Sequence, residues 1–262
     1  MRNIPENNLA YPLLIKLDTD SSGSGFFLEA ETKVYIVTAK HVIYDEDNNL
    51  RGKKAEITCQ TNEINNDEIE KLSFDFSSLN ILTHSISDIA CIEIGDLKGN
   101  KEGDLKILYK NGVTQKVIAK SDLVHVEAEG STKILKHVLI SNDIFLYGYP
   151  TSLGLKKSPQ FDYNKPLLRK GIVANIYNDQ GTIILDCPVF PGNSGGPVVE
   201  VEEEKDIYNH KVIGVVSQFV PHVQQWVNQT NGLVNTEFIN SGYSVAISMD
   251  RVFETIGYDP DK

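Results

Sequence analysis

The sequence predicts an all-β protein, a barrel or sandwich built from many short strands. Three observations lead there. Apolar runs are short and rich in β-branched residues, as at Val34–Val37, Ile89–Ile94 and Val212–Val216. Gly, Asn, Asp or Pro interrupts many of them, which is the pattern of strands joined by turns. Long helical periodicity is scarce. Its best stretch is Met249–Ile256, where Val252, Phe253 and Ile256 share one face, and a weaker helix candidate is His222–Val227.

Further strands are expected at Val138–Ile140, Ile144–Tyr147, Ile183–Leu185 and Tyr243–Ile247. Between them lie polar stretches. Asp45–Lys54 is a charged turn; it lacks the glycine and terminal glutamate that a calcium loop needs in fixed places. Thr61–Glu70 is an acidic loop, and Lys98–Gly103 is expected to link two halves. Asp104–Lys136 reads as an elaborated connection with strand-like pieces at Leu105–Tyr109, Val117–Ala119 and Leu123–Glu127. Glu200–Asn209 reads as a charged hairpin tip. The expected division is 9–103, 104–137 as connection, 138–248, and 249–262 as helix and tail.

With 262 residues and 40% hydrophobic content, the chain can bury a core. A net charge of −11 repels phosphate backbones, so nucleic-acid binding is not expected. The three cysteines, Cys59, Cys91 and Cys187, are odd in number, widely spaced and without a CxxC pair. They suit neither a secreted disulfide framework nor a cysteine zinc site, and they point to a reducing compartment. The first twenty residues hold no apolar core of signal length, and no window is apolar enough for a membrane helix. A cytoplasmic protein with no membrane partner is therefore expected.

The chemistry sits in Pro191-Gly192-Asn193-Ser194-Gly195-Gly196-Pro197. Attack on a peptide carbonyl needs a nucleophile held out from the backbone and N–H donors aimed at the oxyanion. A Gly–x–Ser turn supplies both: the N–H groups of Gly192 and Ser194 can converge while Ser194 attacks. Gly195 and Gly196 are expected to leave room for substrate backbone. Pro197 and Val198-Val199 argue for a following strand, not the helix of a nucleophile elbow. His41, in Thr38-Ala39-Lys40-His41, follows a strand and suits a general base. Five other histidines lack that setting. Asp88 stands at the entrance of the strand Ile89–Ile94, where a carboxylate can orient an imidazole. Alone, each would read as a turn or a surface residue. Together they run in the order His, Asp, Ser, which a two-barrel fold would bring to one cleft.

These motifs resemble the trypsin-like (chymotrypsin-fold) serine peptidases, in the style of bacterial HtrA and glutamyl-endopeptidase members. Gly23-Ser24-Gly25-Phe26, VTAKHVI, SDIACIEI, Tyr147-Gly148-Tyr149-Pro150 and Gly242–Ile247 carry the resemblance across about residues 20–258. The resemblance implies two six-stranded Greek-key β-barrels with a short C-terminal helix. It implies a serine endopeptidase with the triad His41, Asp88 and Ser194, an oxyanion hole from Gly192 and Ser194, and no cofactor or metal. It places Pro188, Val189, Val216, Ser217, Gln218 and Phe219 around the substrate pocket. No acidic residue matches the trypsin specificity position, and Val216 stands where glutamyl endopeptidases carry histidine. A small or apolar residue before the scissile bond is therefore expected. Asn193 replaces the aspartate that zymogens pair with a new N-terminus, so activation by that cut is not expected. No PDZ module is expected to follow. The expected partners are a polypeptide substrate and a regulatory protein that gates the enzyme. A catalytically silent protein-binding module on the same fold is the alternative.

Overall fold

The computed structural model describes residues 8–60, 69–96, 105–108, 114–118, 124–151, 159–204 and 207–262. The expected linker Lys98–Gly103 and all but the end of the Thr61–Glu70 loop lie outside these residues. So do Tyr109, Ala119 and Leu123, which end three of the expected strand pieces.

Side-chain alternation shows how the cores arise. In a strand, successive side chains point to opposite faces. In β2 (Ser22–Ala30), Phe27 turns into the N-terminal core with Leu13, Ile15 and Ile36, while Phe26 and Leu28 turn the other way. In β11 (Asp143–Gly148), Ile144 and Leu146 fill the C-terminal core, while Phe145 and Tyr147 turn outward. The outward sets of the two halves meet in a third core, shared between them. Burying each large apolar side chain contributes about 1.5–3 kcal/mol, so this shared core joins the halves firmly.

The N-terminal sheet holds β1 (Leu13–Leu17), β2, β3 (Lys33–Thr38), β4 (Lys54–Gln60), β5 (Ile69–Asp75), β6 (Asn80–Thr83) and β7 (Ala90–Asp96). It also takes in β8 (Leu105–Leu108), β9 (Thr114–Ile118) and β10 (Val126–Glu127). Its order is β5-β4-β1-β2-β3-β7-β8-β9, with β6 on β7 and β10 on β2. It thus has ten strands where six were expected: residues 9–103 supply seven, and the connecting segment adds three by pairing with the sheet instead of crossing it. Only β10, which runs parallel to β2, departs from antiparallel pairing.

The C-terminal half closes. β11, β12 (Leu167–Tyr177), β13 (Thr182–Asp186), β16 (Val234–Ser248), β15 (Ile207–Val227) and β14 (Pro197–Glu204) form a six-stranded barrel in that order. Helix α1 (Lys40–Ile43) follows β3, the short helical segment α2 (Ala128–Ser131) follows β10, and α3 (Met249–Ile256) follows β16. In α3, Val252 and Phe253 are buried in the shared core, as the periodicity predicts.

Three local expectations are corrected. Val138–Ile140 is not a strand: it is the irregular link and turn between the helical turn Leu135–His137 and β11. His222–Val227 is strand, paired residue for residue with Val234–Ile239. The spacing of Val223, Trp226 and Val227 fits a helix turn, but a partner strand decides the outcome. Glu200 is not at a charged tip. It is fully buried, accepting from the Leu139 N–H and the Asn142 amide at 3.0 Å each and pairing with Lys133.

Candidate active site

His41 leaves β3 on the one-turn helix α1, which Arg51 holds by donating to the carbonyls of His41 (3.0 Å) and Tyr44 (2.8 Å). Asp88 grips His41 with both oxygens. Oδ1 accepts from the His41 backbone N–H at 3.0 Å, and Oδ2 lies 2.7 Å from Nδ1. A carboxylate against Nδ1 sets the proton there and leaves Nε2 as the basic nitrogen.

The loop that carries Asp88 is itself fixed. His84 Nδ1 accepts from the N–H groups of Ile86 (3.2 Å) and Ser87 (2.8 Å), and its Nε2 meets Glu254 of α3 at 2.9 Å. Burial pushes the Asp88 carboxyl up. Hydrogen bonds from His41 and Ser217 and the nearby imidazole outweigh it, so the carboxyl sits below its ordinary range.

The Ser194 turn is held at several points. Asn193 donates its N–H to the Phe190 carbonyl at 2.9 Å, and its Oδ1 accepts the Phe190 N–H at 3.0 Å. Gly192 has φ +101°, a conformation that favours glycine. Gly195, at φ +89°, passes so close to the Ser24 carbonyl that any Cβ would collide with it. A Cβ on Gly196 would strike the Tyr147 carbonyl. These two glycines therefore admit neighbouring backbone of this chain, where room for substrate was expected. Among the described residues, the N–H groups of Gly192 and Ser194 donate to no protein acceptor. That leaves both available to an oxyanion.

Ser24 ties the turn to the N-terminal sheet. Its N–H donates to the Ser194 carbonyl at 2.8 Å. Its hydroxyl donates to the Gly192 carbonyl at 2.7 Å and accepts from the Tyr149 N–H at 2.9 Å. Its own carbonyl accepts from Thr38 Oγ1 at 2.7 Å. Sequence reasoning used Ser24 only as part of a motif. A buried serine between two glycines that must be small was the available signal.

Ser217 bridges the candidate residues. Its hydroxyl donates to Asp88 Oδ2 at 2.6 Å, and its carbonyl accepts from Ser194 Oγ at 3.0 Å. It was expected in the substrate pocket; it does line the cleft, and its buried hydroxyl faces the Asp88 carboxylate. His41, Asp88, Gly192 and Ser194 all line one open cleft of about 1040 Å³. Val189, Ser217, Gln218 and Phe219 line the same cleft. Pro188 and Val216 do not. Val216 is fully buried in the barrel core and serves by its backbone, accepting the Gly195 N–H at 2.7 Å. Among the described residues, one group has metal-ligand chemistry: Glu29, His125 and Glu127. The ion pair of His125 with Glu29 at 2.9 Å accounts for it. No described helix is long and apolar enough to cross a membrane.

Comparison with known proteins agrees with this fold. The chain is similar in fold to the HtrA-type protease AlgW with a tripeptide, at TM-score 0.53 and 14% identity, covering 95% of this chain and 60% of that one. It is similar to Deg5 at TM-score 0.52 and 16% identity, covering 97% and 90%. It is similar to the thermostable serine protease AL20, from an extremophilic microorganism, at TM-score 0.54 and 11% identity, covering 96% of both. No curated protein matches the chain significantly. The profile of the trypsin-like peptidase domain matches residues 23–207, and the chain belongs to that family.

Proposed function

We propose that this protein is a serine endopeptidase, with Ser194 as nucleophile, His41 as general base and Asp88 as the residue that orients it. The observation that carries the reading is the two-oxygen grip of Asp88 on His41 in the cleft that also holds Ser194 and two unengaged amides. Ser194 Oγ turns from the Ser217 carbonyl to His41 Nε2 and attacks the scissile carbonyl as its proton passes to His41. The amides of Gly192 and Ser194 hold the oxyanion. His41 then gives the proton to the leaving amine, and water frees the acyl group by the reverse roles. Asp88 stays ionised throughout, which its lowered pKa favours.

The AlgW structure with a tripeptide supports a polypeptide substrate. Val189 and Phe219 in the cleft wall support a small or apolar residue before the scissile bond. Three cysteines, all free and buried, support a reducing compartment. A second reading has one observation in its favour: the Ser194 hydroxyl is engaged by the Ser217 carbonyl. That is a resting nucleophile, and a regulatory partner or the substrate would release it. A fluorophosphonate probe tests both readings. Labelling of wild type, abolished in Ser194→Ala, supports the enzyme. Silence under all conditions supports a binding module.

A further inference from the structure

β15 is one strand with two environments. Its first part lies inside the barrel, between β14 and β16. Its pairing with β14 ends at Pro197↔Val215, whereas its pairing with β16 continues to Val227↔Val234. Beyond the barrel, the two strands form a projecting ribbon. Among the described residues, no strand covers the outer edge of β15 past Val215.

That edge begins at the nucleophile. Gly195 and Gly196 exchange backbone hydrogen bonds with Val216, and the next carbonyl, Ser217, accepts from Ser194 Oγ. Gln218 and Phe219 follow as cleft wall, and Asn240 at the foot of β16 donates to the Val189 carbonyl at 2.6 Å. The cleft and the ribbon are thus one continuous edge.

The ribbon surface is apolar and nearly uncharged. Trp226 is 61% exposed and Phe238 67%, with Val223, Val227 and Val234 also exposed. From Ser217 to Ser244 the only carboxylate is Glu237, and there is no Lys or Arg, in a chain of net charge −11. An isolated two-stranded ribbon is marginal in water, and an open apolar edge invites another strand. Two positions limit the pairing: register shifts occur at Val216/Gln218 and Phe219/Pro221, and Pro221 offers no N–H.

We propose that the β15 edge of this ribbon is a substrate exosite, which takes an extended apolar segment of the polypeptide on the amino-terminal side of the scissile bond. The inference rests on the peptidase reading and names the substrate class of that site. Its direction follows from β14. A guest in line with β14 is antiparallel to β15, so it starts at the ribbon tip and reaches Ser194 with its carboxyl-terminal end. With one guest residue per host residue, Val223 and Val227 face guest positions roughly six to ten residues before the scissile bond. Val223 and Val227 lie on one face and Trp226 on the other, so alternate apolar guest residues pack against them as cross-strand pairs. Backbone pairing gives affinity, and these side chains give selectivity.

The test uses peptides that share one cleavage core. One has about four residues before the bond. A second has about twelve, with valine or leucine at the positions facing Val223 and Val227. A third has aspartate there. The expected result is a KM about tenfold lower for the second peptide only, with kcat unchanged. In the Val223→Ser/Val227→Ser variant that gain disappears while the short peptide is cut at the wild-type rate. Trp226 is the only tryptophan, so its emission reports ribbon occupancy without turnover. In Ser194→Ala it shifts with the second peptide alone. Equal KM for all three peptides, or a gain that survives the double variant, overturns the exosite. So does a change of oligomeric state in the variant on sedimentation, which assigns the ribbon to self-association. If the double variant misfolds, the aspartate peptide against wild type decides by itself. If no peptide is cut and Ser194 resists labelling, the peptidase reading fails, and the Trp226 titration still decides the ribbon.

Discussion

The two sheets contribute different chemistry to one cleft. The N-terminal sheet is open along its strand order, and it supplies ionisable side chains from strand ends: His41 after β3 and Asp88 before β7. The C-terminal barrel is closed, and it supplies a hydroxyl and a pair of backbone amides on the turn before β14. Side chains can be aimed from a strand end. Amides can be aimed only by fixing the backbone itself, and a closed barrel with positive-φ glycines does that. The halves are then registered by two serines, Ser24 reaching from the N-terminal sheet and Ser217 from the barrel.

The largest expected effect tests the barrel's share. Ser194→Ala is expected to lower turnover by roughly 10⁴–10⁶-fold with an unchanged melting temperature. Asp88→Asn tests the sheet's share. It places an acceptor and a donor where only acceptors stood, and a fall in kcat of about 10⁴-fold is expected with the fold intact. Unchanged peptide hydrolysis in either variant would remove that half from the chemistry.

Ser24→Ala breaks the seam. It leaves the Tyr149 N–H and the Gly192 carbonyl without their partner, at an expected stability cost of about 1–3 kcal/mol by denaturant melts. If the seam also sets the amides, kcat falls as well; a loss of stability alone would show the turn to be self-sufficient. Ser217→Ala is a milder break. Asp88 loses one hydrogen bond, so its carboxyl titrates higher. The expected result is a roughly tenfold lower kcat and an acid limb of the pH profile displaced upward. A profile that falls uniformly, without displacement, would leave Ser217 a packing residue. The smallest effect is on acid stability. The folded pKa of Asp88 lies below its unfolded value, so its contribution is full above about pH 4 and is lost as pH falls through the folded value. Asp88→Asn should flatten that part of the stability curve.

Much of the cleft was legible because its residues are chemically unusual in their local setting. A histidine between TAK and VI, an aspartate opening an apolar strand and a serine among glycines each advertise a constraint. The terminal helix was legible from its spacing, and its bounds match. The contact of Ser217 with Asp88 was not legible, since the resemblance placed Ser217 only at the substrate pocket and its carboxylate partner comes from the other sheet. The ribbon was misread for the same reason. Val223, Trp226 and Val227 carry a period that suits a helix, and only pairing with Val234–Ile239, beyond a turn, selects the strand. Glu200 looked like a hairpin charge because its cation, Lys133, comes from the connecting segment.

The three thiols carry a practical consequence for inhibitor profiling. Burial pushes the Cys187 thiol up to about 11 and raises Cys91 further, so neither holds appreciable thiolate near neutral pH. Cys59 is buried as well. Iodoacetamide and similar alkylating agents should therefore spare the folded protein, while organophosphorus reagents find a hydroxyl at the cleft. The two reagent classes thus separate cleanly on this chain, and loss of activity to an alkylating agent would report unfolding, not chemistry at Ser194.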